Sequence, residues 1–457
     1  MSESRFDAII VGGGQAGPPL AGRLTGAGMK VALVERHLLG GTCVNTGCMP
    51  TKTLVASAHA AHLAGRADLG VVADGLRVDF ARVKARADTV SRDARTGIEN
   101  WLGEMAGLTL LRGHARLEGA GRVRVGGDLL TAPRIFLNVG GRAALPDLSG
   151  VRDVPSLDNA SMLALDQLPD HLLVVGGSYV GLEFAQIYRR LGAGVTIVER
   201  KPRLIDREDE EISEAVRDIM VAEGITVRTH AECIRLMRDG DGVAIGLDCE
   251  DGPPEVAGSH VLLAVGRRPN TDDLGLETAG VTTERGYIQV DDGLATNVPG
   301  IWALGECNGR GAFTHTAYND FEIVAANLLD GESRKVSDRI LAYALYVDPP
   351  LGRAGMTEAQ ARAAGRPILV SRRPMSKVGR AIEKGETQGL MKVVADAETK
   401  CILGAAILGP GGDEAIHGII DMMNAGAPYP VLQRAMPIHP TVSELIPTLL
   451  GDLAPAQ

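Results

Sequence analysis

Residues 5–24 read RFDAIIVGGGQAGPPLAGRL, and residues 30–35 read KVALVE. A short apolar run leads into Gly12, Gly14 and Gly17, a helical stretch follows, and a second apolar run ends at Glu35. This spacing predicts strand, tight turn, helix and strand: the first glycine permits the turn, the second lets backbone amides approach a pyrophosphate, and the third lets helix and strand pack closely. The helix dipole favours the anion, and Glu35 is placed to accept a hydrogen bond from a ribose hydroxyl. The segment predicts a dinucleotide-binding fold.

The same design recurs at residues 171–200, which read HLLVVGGSYVGLEFAQIYRRLGAGVTIVER. Gly176, Ser178 and Gly181 occupy the turn, and Glu199 ends the second strand. The spacing from first glycine to acid is 23 residues in both copies, 12 to 35 and 176 to 199. Ser178 stands in place of the middle glycine. Its side chain leaves less room for the backbone amides to approach a pyrophosphate but still allows that approach. The repeat predicts two dinucleotide-binding folds in one chain.

The tip of the second strand carries groups that distinguish a dinucleotide with a free 2′-hydroxyl, such as NADH, from one with a 2′-phosphate, such as NADPH. Glu199 favours the free 2′-hydroxyl of NADH, whereas the adjacent Arg200 and Lys201 suit the 2′-phosphate of NADPH. Both coenzymes stay open, and we favour NADH.

Composition limits the class of protein. A chain of 457 residues with 45% hydrophobic and 23% charged residues predicts several globular domains. A net charge of −10 argues against nucleic acid as a partner. No apolar run approaches the roughly 20 residues of a membrane span, and no cationic leader precedes Phe6, so we expect a cytoplasmic protein without a membrane partner.

Two cysteines stand out in the stretch GGTCVNTGCMPTK, residues 40–52. A metal site would need two more ligands, which do not lie nearby, so no metal is assigned to Cys43 and Cys48. The four other cysteines, at positions 233, 249, 307 and 401, are too scattered for a secreted disulfide framework. A redox pair fits better, because Pro50 and the helical run after it place Cys48 at a helix N-terminus, which favours a thiolate.

The stretch GGTCVNTGCMPTK resembles the redox-active disulfide motif of the class I pyridine nucleotide-disulfide oxidoreductases, the family of glutathione reductase, lipoamide dehydrogenase and mercuric reductase. The resemblance spans nearly the whole chain. It implies an α/β protein with two Rossmann-like dinucleotide-binding domains, the first for FAD and the second for NADH or NADPH, and an α+β C-terminal dimerisation domain. The expected boundaries are 1–150 and 271–340 for the two parts of the FAD domain, 151–270 for the NAD(P)H domain and 341–457 for the dimerisation domain.

The resemblance also implies roles for residues of the cysteine motif. Cys48 would lie against the flavin, and Cys43 would be the outer thiol that exchanges with substrate. Lys52 would approach flavin N5 and pair with Glu183 of the second fold.

A second flavin motif is suggested by NVPGIWALGECNGRGAFTHTA, residues 297–317. In relatives, an acid at the position of Glu306 binds the ribityl chain; it is usually aspartate, so the extra methylene here shifts the carboxylate by about a bond length. Gly266, in VGRRPN, resembles the turn that returns the chain to the flavin domain. The further FAD contacts implied by the family are Gly41, Thr42, Gly305, His315 and Ala317.

The C-terminal stretch MPIHPTVSELIP, residues 436–447, resembles the motif that reaches the partner's disulfide across a homodimer interface. This implies that His439 is an acid/base for the thiol exchange. Glu444 either holds the tautomer of His439 or, with Thr441, caps the helix that comes next.

The resemblance implies that hydride passes from nicotinamide to flavin and that the electron pair then opens the Cys43–Cys48 disulfide. The chain resembles a mercuric reductase-like bacterial branch, yet it ends GDLAPAQ without a cysteine pair and keeps His439. We therefore favour a small-molecule disulfide as acceptor, with a soft metal ion, Hg(II) or Cu(II), and dihydrolipoamide dehydrogenase activity as alternatives. A non-catalytic flavoprotein is the alternative of another class.

Overall fold

The computed structural model describes residues 3–248 and 253–456, so Cys249 lies outside the described residues. One compact unit comprises residues 1–53, 84–144 and 266–339, and a second comprises residues 54–83, 145–265 and 340–457. The domain boundaries expected from the sequence stay predictions.

The helices are α1 (Gly17–Gly26), α2 (Gly41–Asn45), α3 (Cys48–Ala64), α4 (Phe80–Gly103), α5 (Asn159–Leu163), α6 (Tyr179–Leu191), α7 (Glu210–Ala222), α8 (Thr314–Ala325), α9 (Glu358–Ala363), α10 (Gly379–Glu383), α11 (Gly412–Ala415), α12 (His417–Asn424), α13 (Pro430–Gln433) and α14 (Ile446–Gly451). The strands of the first unit are β1 (Glu3–Arg5), β2 (Ala8–Val11), β3 (Val31–Glu35), β4 (Leu108–Arg112), β5 (Ala115–Leu117), β6 (Arg122–Val125), β7 (Asp128–Thr131), β8 (Ile135–Leu137), β9 (Gly141–Ala143), β18 (Arg267–Pro269), β19 (Thr283–Glu284), β20 (Tyr287–Ile288) and β21 (Ile301–Ala303). Those of the second unit are β10 (Ser156–Leu157), β11 (His171–Val175), β12 (Gly194–Val198), β13 (Thr226–Arg228), β14 (Glu232–Asp239), β15 (Gly242–Asp248), β16 (Glu255–Gly258), β17 (His260–Leu263), β22 (Ala342–Leu345), β23 (Leu351–Gly355), β24 (Ile368–Pro374), β25 (Leu390–Asp396), β26 (Ile402–Leu408) and β27 (Ala454–Pro455).

The first unit is built on a parallel sheet of order β21-β8-β2-β3-β4. Side chains of β2 alternate between its two faces: Ile9 and Val11 enter one core, and Ala8 and Ile10 enter the other. Both faces of β2 are therefore buried in apolar cores, which explains why the strand is a continuous apolar run.

Helices cover one face of this sheet, and a second sheet of order β1-β7-β6-β5 covers the other. Leu20 and Leu24 of α1 and Val324 of α8 pack in the helical layer. Because β2 and β3 are parallel with α1 between them, their carboxyl ends meet at one edge, where ligands bind in open α/β sheets.

The second unit repeats the arrangement with a parallel sheet of order β10-β17-β11-β12-β13. A three-stranded antiparallel sheet, β14-β15-β16, shares a core with it through residues such as Leu173, Leu236 and Ile245. The same unit holds a six-stranded antiparallel sheet of order β22-β23-β26-β25-β24-β27, on which α12 and α14 pack.

The predicted fold class, two Rossmann-like folds followed by an α+β domain, is therefore confirmed. Across the two described ranges, none of the helices combines the length and the hydrophobicity that crossing a bilayer requires.

Candidate active site

A cavity of about 400 Å³ lies at the carboxyl ends of β2 and β3 in the first unit. The residues predicted to contact FAD that line it are Gly12, Gly14, Glu35, Gly41, Thr42, Gly305, Glu306 and Ala317. They come from four separated stretches of sequence, and the sheet order brings them together.

The glycine turn after β2 has the geometry that the sequence predicted. Gly12 has φ +108°, and a Cβ there would lie 2.2 Å from the Asn138 carbonyl oxygen. A Cβ on Gly17 would lie 2.3 Å from the Gly12 carbonyl oxygen, so this glycine packs helix against strand. Gly14 faces more open space, with the Asn138 side-chain nitrogen 3.4 Å from a hypothetical Cβ. The first and third glycines are thus required by the fold, and the second lines the cavity.

Glu35 is a buried carboxylate at the tip of β3. Its Oε2 accepts from the Gly13 amide at 2.7 Å, and its Oε1 accepts from the His37 amide at 2.7 Å. Each oxygen keeps a further lone pair, so the carboxylate is held in place and retains acceptor capacity toward the cavity.

The second glycine turn reproduces the first. Gly176 has φ +113°, and its hypothetical Cβ would lie 2.4 Å from the Ala264 carbonyl oxygen; that of Gly181 would lie 2.1 Å from the Gly176 oxygen. Ser178 is the N-cap residue of α6, and its hydroxyl makes no capping bond. Glu199 accepts from the Gly177 amide at 2.6 Å and from the Lys201 amide at 2.8 Å.

Two basic side chains that follow Glu199 in sequence form ion pairs with acidic neighbours. The Lys201 Nζ lies 3.0 Å from Asp206 Oδ2, and Arg203 lies 3.8 Å from the same carboxylate. Arg203 also pairs with Glu210 at 3.3 Å. Arg200 is exposed.

The two cysteines lie in consecutive helices: Cys43 is in α2 and lines the cavity, and Cys48 is the first residue of α3. The predicted position of Cys48 at a helix N-terminus is confirmed. Cys48 Sγ lies 3.3 Å from the hydroxyl of Thr314, the first residue of α8 and a cavity-lining residue. Both cysteines are thiols in this structure.

The environment separates the acidities of the two sulfurs. A hydrogen bond from Cys43 lowers the pKa of Cys48 to about 6, burial opposes this shift, and the Thr314 hydroxyl and the charge of Lys52 assist it. The pKa of Cys43 is raised, chiefly because it shares this hydrogen bond with Cys48 and also because it is buried. In the reduced pair, Cys48 is therefore the thiolate and Cys43 keeps the proton.

Lys52 and Glu183 belong to different units, and their pairing stays a prediction. Lys52 lies one turn into α3 from Cys48. Glu183 is buried in α6 and accepts from the Tyr346 amide at 3.0 Å.

Glu306 is held by an arginine. Arg267 Nε donates to Glu306 Oε1 at 2.7 Å, and Arg267 Nη2 donates to Oε2 at 3.0 Å. Gly266, the residue before it, has φ +123°, and its oxygen accepts from Ala144 at 3.0 Å. The turn thus delivers Arg267 to the carboxylate.

His315 is exposed, and its ring stacks on Phe313 with centroids 5.4 Å apart rather than lining the cavity. Its neighbour Thr314 lines the cavity instead.

His439 and Glu444 form a hydrogen-bonded pair in the second unit. Glu444 Oε2 lies 2.8 Å from His439 Nδ1, while the Thr441 hydroxyl accepts from the Glu444 amide at 3.2 Å. The Thr441 hydroxyl therefore holds the Glu444 backbone, and the Glu444 side chain orients the imidazole. The His439 side chain is 80% exposed, and the neighbouring Met436 and Ile438 are exposed as well.

Sequence reasoning missed three residues of this site: Thr314, Asn138 and Arg267. Thr314 lay inside the second flavin motif, where the sequence drew attention to the adjacent histidine. Asn138 comes directly after β8, and its side chain donates to the Gly12 oxygen at 3.3 Å. Arg267 lay beside Gly266, but its partner is 39 residues away in sequence.

Comparisons with known proteins agree with these motifs. Residues 6–320 match the family model described as pyridine nucleotide-disulphide oxidoreductase, and residues 341–450 match the dimerisation domain of the same family.

Three relatives cover nearly the whole chain. The probable pyridine nucleotide-disulfide oxidoreductase RclA of Escherichia coli is 33% identical over 98% of this chain and 99% of its own length. A solved structure of that protein, described as the Cu(II) complex of an HOCl-induced flavoprotein disulfide reductase, matches with a TM-score of 0.89 at 33% identity, over 98% of this chain and 99% of that one. A mercuric reductase of Streptomyces lividans is 34% identical, with 96% and 94% of the two chains covered. A dihydrolipoyl dehydrogenase of Thermus scotoductus is 36% identical, with 96% and 95% covered.

Proposed function

The chain belongs to the pyridine nucleotide-disulphide oxidoreductase family, and from this premise we propose that it uses NADH to reduce a small-molecule disulfide at Cys43 and Cys48. It is an oxidoreductase that depends on FAD and a pyridine nucleotide. One observation carries the proposal: Cys43 and Thr314 line the same cavity as the first glycine turn. Thr314 is in turn hydrogen-bonded to Cys48.

The residues of the cavity fit FAD. The turn after β2 admits only glycine at Gly12, and the buried Glu35 carboxylate keeps acceptor capacity at the strand tip. Glu306 provides a second carboxylate that can accept hydrogen bonds from hydroxyl groups of FAD, and Ala317 of α8 also lines the cavity. When bound, FAD accepts hydride from the nicotinamide and supplies an electron pair to the disulfide.

The dithiol then performs the exchange. In the overall reaction, NADH, a proton and one disulfide give NAD⁺ and two thiols. Cys43, the outer sulfur, attacks the substrate disulfide and releases one thiol. Cys48 then attacks Cys43 to close the internal disulfide, and the second thiol leaves. The low pKa of Cys48 makes it a thiolate at neutral pH, and its proton-bearing partner needs a base before it can attack.

His439 is suited to be that base from the partner subunit. Its ring is exposed on the second unit, and Glu444 fixes Nδ1, so Nε2 stays available for a proton. Residues 341–450 match the family's dimerisation domain, which supports a homodimer. The exposed apolar side chains of Met436 and Ile438 beside it are suited to a subunit contact.

The neutralised cations favour NADH over NADPH. Glu199 accepts from two backbone amides, as Glu35 does, and keeps acceptor capacity for a ribose hydroxyl. Lys201 and Arg203 are already paired with Asp206 and Glu210, whereas Arg200 is exposed. A 2′-phosphate bound by Lys201 or Arg203 would therefore have to displace an existing ion pair, and it would also lie next to the carboxylate of Glu199.

Reduction of a soft metal ion is the second candidate. Two relatives favour it: one is named a mercuric reductase, and the other has been solved as a Cu(II) complex. One Hg(II) would take both electrons of NADH, and two Cu(II) would take one each.

A steady-state screen tests the function. Purified protein is assayed with NADH and NADPH against small disulfides, lipoamide, Hg(II) and Cu(II). We expect turnover of at least one disulfide with NADH, and loss of that turnover on Cys43→Ser. Turnover of metal ions alone would select the second candidate. NADH oxidation that is unchanged when either cysteine is replaced by serine would contradict both candidate functions.

A further inference from the structure

The acid that faces the ribityl position is unusual in type and in environment. Glu306 lines the cavity, whereas Arg267 approaches it from outside that lining. We infer that Arg267 is a positioning residue which orients the Glu306 carboxylate toward the flavin polyol, and that Gly141 is glycine because the carboxylate occupies its side-chain space. This inference rests on the proposed FAD site, to which it adds Arg267 and Gly141, both acting through Glu306.

The geometry of the pair is bidentate. Arg267 gives one N–H to each carboxylate oxygen, at 2.7 and 3.0 Å, and Nη2 also donates to the Gly141 oxygen at 2.7 Å. Both side chains are largely buried, with 25% and 14% of their surfaces exposed. Planar fork-to-fork pairing fixes the orientation of a carboxylate as a lysine does not.

Acceptor capacity remains after this pairing. A carboxylate has about four lone-pair sites, and the arginine uses one on each oxygen. The remaining lone pairs of Glu306 are on a carboxylate that lines the cavity and whose charge is already balanced by Arg267. Such a group suits hydroxyl donors, because a neutral polyol neither repels the carboxylate nor competes for the guanidinium.

Gly141 explains how the longer acid is accommodated. A Cβ on Gly141 would lie 2.7 Å from the Glu306 carboxyl carbon and 2.7 Å from Oε2. Gly141 is also the first residue of β9, which pairs with β18 at Pro269. The extra methylene of glutamate therefore uses space that a side chain on β9 would otherwise fill.

The first experiment measures FAD release from the holoenzyme on dilution, monitored by flavin fluorescence. We expect Arg267→Leu to raise the dissociation constant about 10- to 100-fold, the effect of losing a charge-assisted pair that orients a ligand contact. Arg267→Lys should be intermediate. The matched control is Arg268→Leu, because Arg268 is exposed and its ion pair with Asp272 is long, at 3.8 Å.

A double-mutant cycle separates positioning from general stabilisation. In a Glu306→Gln background, Arg267→Leu should weaken FAD binding less than about threefold, because the arginine then has no carboxylate to orient. An undiminished effect in that background would overturn the inference.

The second experiment tests the space around Gly141. Gly141→Ala should weaken FAD binding at least tenfold with Glu306 present, and Glu306→Asp should restore much of the loss by shortening the side chain. Equal losses in both backgrounds would overturn the assignment of Gly141. If the wild-type protein held no FAD, the proposed function itself would fail; if it holds FAD and Arg267→Leu behaves like Arg268→Leu, only this inference fails.

Discussion

The hydroxyl of Thr314 lies 3.3 Å from Sγ of Cys48, joining the N-termini of two helices that are 266 residues apart in sequence. With Cys48 as thiolate, the hydroxyl donates to the sulfur, and each helix presents its positive end to the same charge. The hydrogen bond from Cys43 is the main cause of the low pKa of Cys48, and the Thr314 hydroxyl lowers that pKa further.

Removing that hydroxyl should raise the pKa of Cys48. A hydrogen bond to a charged group contributes about 1.5–3 kcal/mol, so Thr314→Val should move the thiolate midpoint up from about 6 by about one to two pH units. The midpoint is read from the long-wavelength absorbance of the two-electron-reduced holoenzyme as a function of pH. Thr314→Ser should restore it.

The control for this prediction is Thr316→Val. The Thr316 hydroxyl caps the same helix by accepting from the Phe313 amide at 3.2 Å. This variant should lower stability and leave the midpoint unchanged. A midpoint that moved equally in both variants would show that helix integrity, rather than the Thr314 hydroxyl, sets the acidity.

The thiolate also links stability to pH. The pKa of Cys48 is depressed on folding from 9.0 to about 6. Its contribution to the stability of the reduced protein is therefore fully present above pH 9, decreases as the pH falls through this range, and is lost below about 6. Chemical denaturation of reduced wild type and Cys48→Ser from pH 5 to 9 checks the sign: their difference in unfolding free energy should grow with pH.

The two cysteines should separate dye reduction from disulfide reduction. Cys43→Ser and Cys48→Ser remove the internal disulfide, so NADH-dependent reduction of an artificial dye should persist while disulfide turnover falls to background. Cys401→Ser is the control, because Cys401 is bonded only weakly, at 3.9 Å to the Gly426 oxygen. Loss of dye reduction in step with disulfide turnover would contradict the assigned roles.

His439 should act on the partner's cysteines. His439→Ala is expected to lower disulfide turnover about 10²- to 10⁴-fold, the usual contribution of a positioned acid/base. Glu444→Gln should have a smaller effect, because the amide still occupies the position from which the carboxylate orients Nδ1.

Subunit mixing decides whether this action crosses the interface. When Cys43→Ser and His439→Ala dimers are dissociated and reassociated in equal amounts, half of the dimers should be mixed and each should carry one intact site, which restores roughly a quarter of wild-type activity. Action within one chain would restore none. Reassociated Cys43→Ser alone is the blank.

Freeing Lys201 should broaden coenzyme use. Asp206→Ala removes the carboxylate 3.0 Å from Lys201 Nζ, so kcat/KM for NADPH relative to NADH should rise about 5- to 10-fold, or about 1 kcal/mol. Glu214→Ala, an exposed charge on α7, controls for the change in net charge. An unchanged ratio would mean that the ion pair does not limit NADPH.

Glycine substitutions should distinguish folding from binding. Gly12→Ala places a methyl group 2.2 Å from the Asn138 oxygen at a φ of +108°, so it should destabilise the protein by several kcal/mol. Gly14→Ala meets its nearest atom at 3.4 Å and should fold while binding FAD more weakly. Thermal melts with and without added FAD check both. Equal loss of stability in the two apoproteins would contradict this division.

The sequence by itself determined the two dinucleotide-binding folds and the position of Cys48 at a helix N-terminus, because these depend on local conformation. The glycines at 12, 17, 176 and 181 are dictated by turns and by the close packing of helix against strand. Cys48 begins a helix because the residues after it, from Met49 to Ala64, are rich in alanine and because Pro50 lies in the first turn, where its missing N–H has no intrahelical partner to lose. Periodicity and spacing report such constraints directly.

The tertiary structure decided which distant side chains meet. Thr314 reaches Cys48, Arg267 pairs with Glu306, and the Glu444 carboxylate turns to His439 rather than completing a capping box. The first two contacts depend on the order of strands in the sheet and the third on a choice between two acceptable hydrogen bonds. A sequence pattern sets the chemical capacity of each residue; only the packed chain selects its partner, because many segments have equal local preference and the sheet order brings only some of them together.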